Sequence, residues 1–218
     1  MKRIAVGLVF PLFIIVMVGA QAQTPAPVAP PKYLLIVRED IKPGKGTEHT
    51  KNSQAFVRIL AKANSPYYRL AATPLTGNEN EVTYFWPFDS YASLEKYYQD
   101  LDKWASGPYK ADFEKLDKQG ADLHAAQRDV LATYREDLSY RPNLNSGKSH
   151  YFLFVTVRVR PGHGMDFAEA RKIVLAAHQK ANLDEYFFVY EVSSGTPGPT
   201  YYIFVPQKSL KDLDLDIH

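Results

Sequence analysis

The sequence predicts an α+β protein built from two βαββαβ units packed sheet to sheet, and three observations predict it. Tyr33 to Gly46 reads YLLIVREDIKPGKG, and 118 positions later Tyr151 to Gly164 reads YFLFVTVRVRPGHG. The match continues at that offset through Lys62-Ala63-Asn64 and Lys180-Ala181-Asn182, Tyr68 and Tyr186, Gly77 and Gly195, and Tyr84 and Tyr202. It slips by one residue around Phe85-Trp86-Pro87 and Phe204-Val205-Pro206. Identities spread this widely point to a duplicated supersecondary unit. Finally, YFLFV at Tyr151 and YYIFV at Tyr201 are apolar at every position, so both faces of their sheet must be covered.

The chain opens with a positive Met1-Lys2-Arg3, an uncharged apolar run from Ile4 to Gly19, and Ala20-Gln21-Ala22, a small-x-small pattern. Residues 1–22 are therefore read as a secretory signal peptide, cut before Gln23, which places the protein in the periplasm or outside the cell. A retained anchor is the rival reading, but the run is broken by Pro11 and falls short of the roughly 20 residues a span needs. Residues 23–32 are a spacer: Thr24 to Pro31 holds four prolines and suits neither helix nor sheet.

The first unit is expected over 33–140, the linker over 141–149 and a truncated second unit over 150–218. Strands are predicted at Tyr33–Ile41 and Tyr151–Val159, where β-branched and aromatic residues dominate. Pro43-Gly44 and Pro161-Gly162 end them. Helices follow over Thr47–Ala63 and Met165–Ala181, the second with an inward stripe of Phe167, Ala170, Val174, Ala177 and Ala181. Further strands are expected at Tyr67–Ala72 and Glu81–Phe88, and again at Tyr186–Val192 and Tyr201–Val205. Asp89-Ser90 suit a helix N-cap, and the helix beyond them has Tyr91, Leu94, Tyr98, Leu101 and Ala105 as its expected stripe, flanked by Tyr97 and Trp104. Gly107-Pro108 breaks it, Tyr109 to Leu123 continues as helix, and Val130–Arg135 is the expected fourth strand. After Tyr201–Val205 only a short terminal helix is expected, over Ser209–His218. The βαββαβ order is that of the ferredoxin-like plait.

IKPGKGTEHTKN together with NEVTYFWPFDSYASLEK resembles the NIPSNAP-type members of the dimeric α+β barrel superfamily. The resemblance spans roughly residues 33 to 101 and, more weakly, 150 to 210. It implies a barrel-like pairing of two plaits. Cofactor-free monooxygenases, haem enzymes and proteins without an established activity all occur on that fold. Its motifs mark fold positions and carry over no catalytic residue.

Composition excludes several classes. The chain has no cysteine, so disulfides, thiol catalysis and zinc-thiolate sites are out. Its 26 basic and 24 acidic residues differ only by Lys2 and Arg3, which speaks against a nucleic-acid partner. Beyond Gly19 no run is long and apolar enough to span a membrane, so no membrane contact is expected once the signal is removed. PGKG lacks a Walker pattern, and PGHG in its place at Pro161 reads as turn chemistry. The six histidines are scattered without metal-ligand spacing, and no metal or cofactor is expected.

Candidate site residues come from places where the two copies disagree. His49 stands where the second copy has Phe167, His178 where the first has Leu60, and Arg69 where the second has Phe187. Each puts a polar group where its twin packs an apolar one, which costs free energy unless a partner is found. The plain alternative is a histidine bonded to a backbone carbonyl and an arginine at a sheet edge. Tyr84 and Trp86 are added from an aromatic concentration that includes Tyr67, Tyr97 and Trp104. It reads either as the lining of a small-molecule pocket or as sheet–helix core. Three functional readings follow: an exported binder of a small apolar ligand or protein partner; a monooxygenase-like or haem-dependent enzyme using His49 or His178; and an assembly protein in which a second copy completes the barrel as a homodimer.

Overall fold

The computed structural model describes residues 29–141, 149 and 151–215, so the segment read as a signal peptide lies outside the described residues. The chain enters through β1 (Tyr33–Ile41), whose alternation sends Leu34 and Ile36 to one face and Leu35 and Val37 to the other. Pro43-Gly44 turns it into α1 (Gly46–Lys62); Gly44 has φ +79°, which a residue with a side chain rarely adopts. Then come β2 (Leu70–Ala72), β3 (Glu81–Phe88), α2 (Tyr91–Ser106), α3 (Lys110–Leu123) and β4 (His124–Tyr134). The C-terminal half supplies β5 (Tyr151–Arg158), α4 (Gly164–Ala181), β6 (Phe188–Ser194), β7 (Thr200–Gln207) and a short 3-10 turn over Leu210–Leu215. Ser90 starts α2 with a reciprocal capping box to Ser93. Among the described residues no helix is long and apolar enough to cross a membrane.

All seven strands join one antiparallel sheet in the order β2-β3-β1-β4-β6-β7-β5. In the N-terminal half β3 lies between β1 and β2, and in the C-terminal half β7 lies between β5 and β6. The halves are joined by β4 pairing with β6, so they share one continuous sheet where the sequence suggests two separate ones. Curling brings its distant parts together. Phe85 on β3 meets Phe152 and Phe154 on β5 at ring-centroid distances of 5.7 and 5.9 Å, although four strands separate β3 from β5. The concave interior is a packed core of Leu34, Ile36, Phe85, Val130, Phe188, Tyr190, Tyr202 and Phe204. A second core lies between the N-terminal half of the sheet and its helices. A third holds Leu138, Tyr140, Phe187, Val189 and Tyr201 with the inner side of α4.

Five sequence expectations shift. The inner side of α2 is Leu94, Tyr97, Leu101 and Trp104, and Tyr98 is half exposed; the aromatic at 97 finds Trp86 and Phe88 beneath it. On α4 the inner residues are Phe167, Ala168, Arg171, Leu175 and His178, while Ala170, Val174, Ala177 and Ala181 are exposed. β4 begins at His124, directly after α3, and β2 is only three residues long. The hairpins are also offset: β1 pairs Val37 with Tyr84, whereas β5 pairs Val155 with Ile203. Strand register thus matches Tyr84 with Ile203, and the one-residue slip falls in the turn before it.

Candidate functional site

The helix-facing side of β1 begins apolar with Leu35 and Val37 and ends in Glu39, one pleat further. Over it lies the inner stripe of α1: His49, Ser53, Phe56 and Leu60, at spacings of four, three and four. The lower two are apolar and pack in the core. The upper two are polar, and the seam between sheet and helix becomes polar at that end. Arg69, just before β2, and Tyr84 on β3 complete it.

His49 is 3% exposed, and its Nε2 lies 2.7 Å from Glu39 Oε2 in a hydrogen bond. His124, the first residue of β4, brings its Nε2 to 3.3 Å from the same oxygen. That contact lacks hydrogen-bond geometry, and the His124 nitrogen is buried without a hydrogen-bond partner. The two rings meet edge to face, centroids 5.2 Å apart. An irregularity between Asp40 and Ile41 sets His124 opposite Ile41, with Ala126 opposite Asp40; bulges of this kind re-aim side chains next to functional sites. The other side of the His124 ring lies along Gly120 of α3, where an added Cβ would be 3.6 Å from Cε1.

Beside this cluster Ser53 Oγ accepts hydrogen bonds from Arg69 Nη2 (2.7 Å) and from the Tyr84 hydroxyl (3.1 Å). The Arg69 guanidinium lies 3.8 Å from the Tyr84 ring centroid, with Phe56 and Trp86 at 5.0 and 5.3 Å. Burial lowers the Arg69 pKa from its ordinary value, opposed by the charges of Tyr84 and Glu39; burial raises that of Tyr84. A groove of about 500 Å³ runs between α1 and α3; its wall includes Asn52 and Leu123, the neighbour of His124.

Of the residues expected from sequence, His49, Arg69 and Tyr84 are brought together here. Trp86 is 3% exposed and packs between Phe56 and Tyr97 as core. His178 lies in the other half: Nδ1 bonds the Val174 carbonyl at 2.9 Å, Nε2 pairs with Glu185 at 3.0 Å, and the ring packs on Tyr140 and Phe187. Glu39, His124 and Ser53 are absent from the sequence-based set. Glu39 against its twin Val157 was a legible signal; His124 has no counterpart in the shorter second half, and only strand pairing reveals it.

The architecture is that of the ferredoxin-like α+β barrels. Among solved structures, the chain is similar to candidate monooxygenases from Fusobacterium nucleatum and Lactobacillus acidophilus. The first shares 12% identity over 85% of this chain and 80% of that one, TM-score 0.52. The second shares 9% identity over the same fractions, TM-score 0.51. A NIPSNAP domain protein from Burkholderia xenovorans is 18% identical over 45% of this chain and 90% of its own, TM-score 0.37. No family model and no curated protein sequence matches the chain.

Proposed function

We propose that this is an exported enzyme acting on a small molecule at the polar seam of its N-terminal half. The observation that carries the reading is the contrast between the two halves. Glu39, His49, Arg69 and Tyr84 occupy the seam under α1. The corresponding positions under α4 are Val157, Phe167, Phe187 and Ile203, all members of an apolar cluster. These four positions therefore pack without polar groups in the second half, where the polar groups under α4 are Arg171, stacked on Phe187, and His178. Keeping Glu39, His49, Arg69 and Tyr84 together in the first half costs free energy that packing does not require. Buried polar clusters with perturbed groups, here Arg69 and Tyr84, concentrate at functional sites.

The chemistry such a seam suits is proton transfer. A carboxylate beside an imidazole is a proton acceptor for an acidic hydroxyl or an activated C–H. Arg69, fixed by aromatic stacking, offers a cation for the anion left behind. Oxygenase-type chemistry begins with such an anion, and two proteins of similar fold are described as candidate monooxygenases. A haem role for His178 has less support, since both its ring nitrogens are engaged. Export rests on the character of residues 1–22.

Turnover of a panel of phenols and enolisable ketones, followed by oxygen uptake and product absorbance, tests the reading. The expected result is activity with a subset of the panel and a loss of about 10²–10⁴-fold in kcat/KM for His49→Ala. Saturable binding without turnover, unchanged in His49→Ala, would show a passive binder and overturn it.

A further inference from the structure

We infer that Glu39, His49 and His124 bind one divalent first-row transition metal ion, a deepening that rests on reading this seam as the functional centre. The three donor atoms all lie within 4.8 Å of one another. Two imidazole nitrogens converge on a single carboxylate oxygen, at 2.7 and 3.3 Å. Hydrogen bonding satisfies one of them. The other, His124 Nε2, is buried with no hydrogen bond, a position that costs free energy. A cation placed among the three would satisfy both nitrogen lone pairs and the carboxylate at once.

The dimensions fit. Bonds of roughly 2.1 Å put neighbouring ligand atoms about 3.0 to 3.4 Å apart in octahedral or tetrahedral geometry. The His124–Glu39 distance already lies in that range, and the His49–Glu39 distance needs to open by only a few tenths of an ångström. Two imidazoles and one carboxylate form a donor set suited to zinc or ferrous iron and poorly suited to calcium or magnesium. Three protein ligands leave coordination positions for water or substrate, the arrangement of catalytic rather than structural sites. Each ligand comes from a different element, β1, α1 and the start of β4, so the folded state presents them preassembled. The side chains of Glu39 and His124 are 13% and 24% exposed, which leaves a path for an ion.

The test is metal binding by the full-length protein, stripped with chelator and titrated with Co²⁺ and Zn²⁺. Calorimetry gives stoichiometry, and the visible Co²⁺ spectrum reports coordination. One equivalent is expected to bind. Glu39→Gln and His124→Ala should each weaken it by more than about 100-fold, beyond the loss typical of an outer partner. His163→Ala, an exposed histidine of the other half, should leave it unchanged. If Glu39→Gln or His49→Ala fails to fold, His124→Ala decides alone, because its nitrogen makes no hydrogen bond that folding would lose. That variant should fold, yet lose the rise in melting temperature that Zn²⁺ gives the stripped parent. Absence of stoichiometric binding, or undiminished binding by folded His124→Ala, overturns the inference. Turnover without stoichiometric metal binding would overturn the metal while leaving the enzymatic reading; stoichiometric metal without turnover would do the reverse.

Discussion

Ser53 shows how much a single hydroxyl holds in this seam. Its oxygen accepts from both Arg69 and Tyr84, the two polar groups that lean on the aromatic floor. Ser53→Ala removes one acceptor and strands two donors. Tyr84→Phe removes one donor and strands nothing, because Arg69 still reaches Ser53. Leaving a buried polar group unsatisfied costs about 1–3 kcal/mol, and losing a satisfied bond about 0.5–1.5 kcal/mol. Urea unfolding should therefore rank Ser53→Ala as clearly more destabilising than Tyr84→Phe; the opposite order would mean that water replaces Ser53 freely. The same reasoning separates His49 from His124: the first has its partner, and the second has a nitrogen waiting for one.

Between elements, the joint of β4 with β6 decides how the halves meet. Arg135 at its end donates to Asp137 and, across the joint, to Glu191. Thr133 and Ser193 hydroxyls lie 2.7 Å apart on neighbouring strands. Closest of all is Gly195 in the β6–β7 turn, with φ +96° and an ideal Cβ position only 2.2 Å from the Asp129 carbonyl. Its counterpart in the β2–β3 turn, Gly77, has φ +110° but open space around it. Gly77→Ala is expected to cost only backbone strain, about 1–3 kcal/mol. Gly195→Ala adds a backbone collision and should exceed that, lowering the melting temperature of the whole chain. Equal effects would mean that the turn is free to move off β4.

At the scale of the molecule, the interior holds its tyrosines neutral. Burial raises the pKa of Tyr84, Tyr97 and Tyr190 above the ordinary value of 10.0. Burial, followed by the hydrogen bond to Asp100, raises that of Tyr67 to about 12. Above pH 10 the unfolded chain loses these protons and the folded chain keeps them, so the unfolded state binds fewer protons and stability falls as pH rises. The contribution is fully present below pH 10 and is lost as pH climbs through the folded values. Tyrosinate absorbance should lag the titration of the urea-unfolded chain and rise together with loss of structure. Complete ionisation near pH 10 with the fold intact would contradict this.

Local rules made much of this chain legible. Pro-Gly punctuation and β-branched runs located β1 and β5 and the starts of α1 and α4, because those features act over a few residues. Helix faces were less legible, since tertiary contacts choose among adjacent positions. α2 keeps Leu94 and Leu101 inward but buries Tyr97 in place of Tyr98, and α4 keeps Phe167 but turns Arg171, Leu175 and His178 inward in place of Ala170, Val174 and Ala177. Comparing the halves singled out His49 and Arg69, for a polar residue opposite an apolar twin is visible in one dimension. His124 was not, because its place beside Glu39 depends on a register irregularity in the pairing of β4 with β1. The sequence by itself determined the strands, the helices and half of the polar seam. Only the tertiary structure decided that two halves share one curled sheet and that three donors from distant positions converge. Hydrogen-bond register and chain crossing are non-local, and no short stretch of residues encodes them.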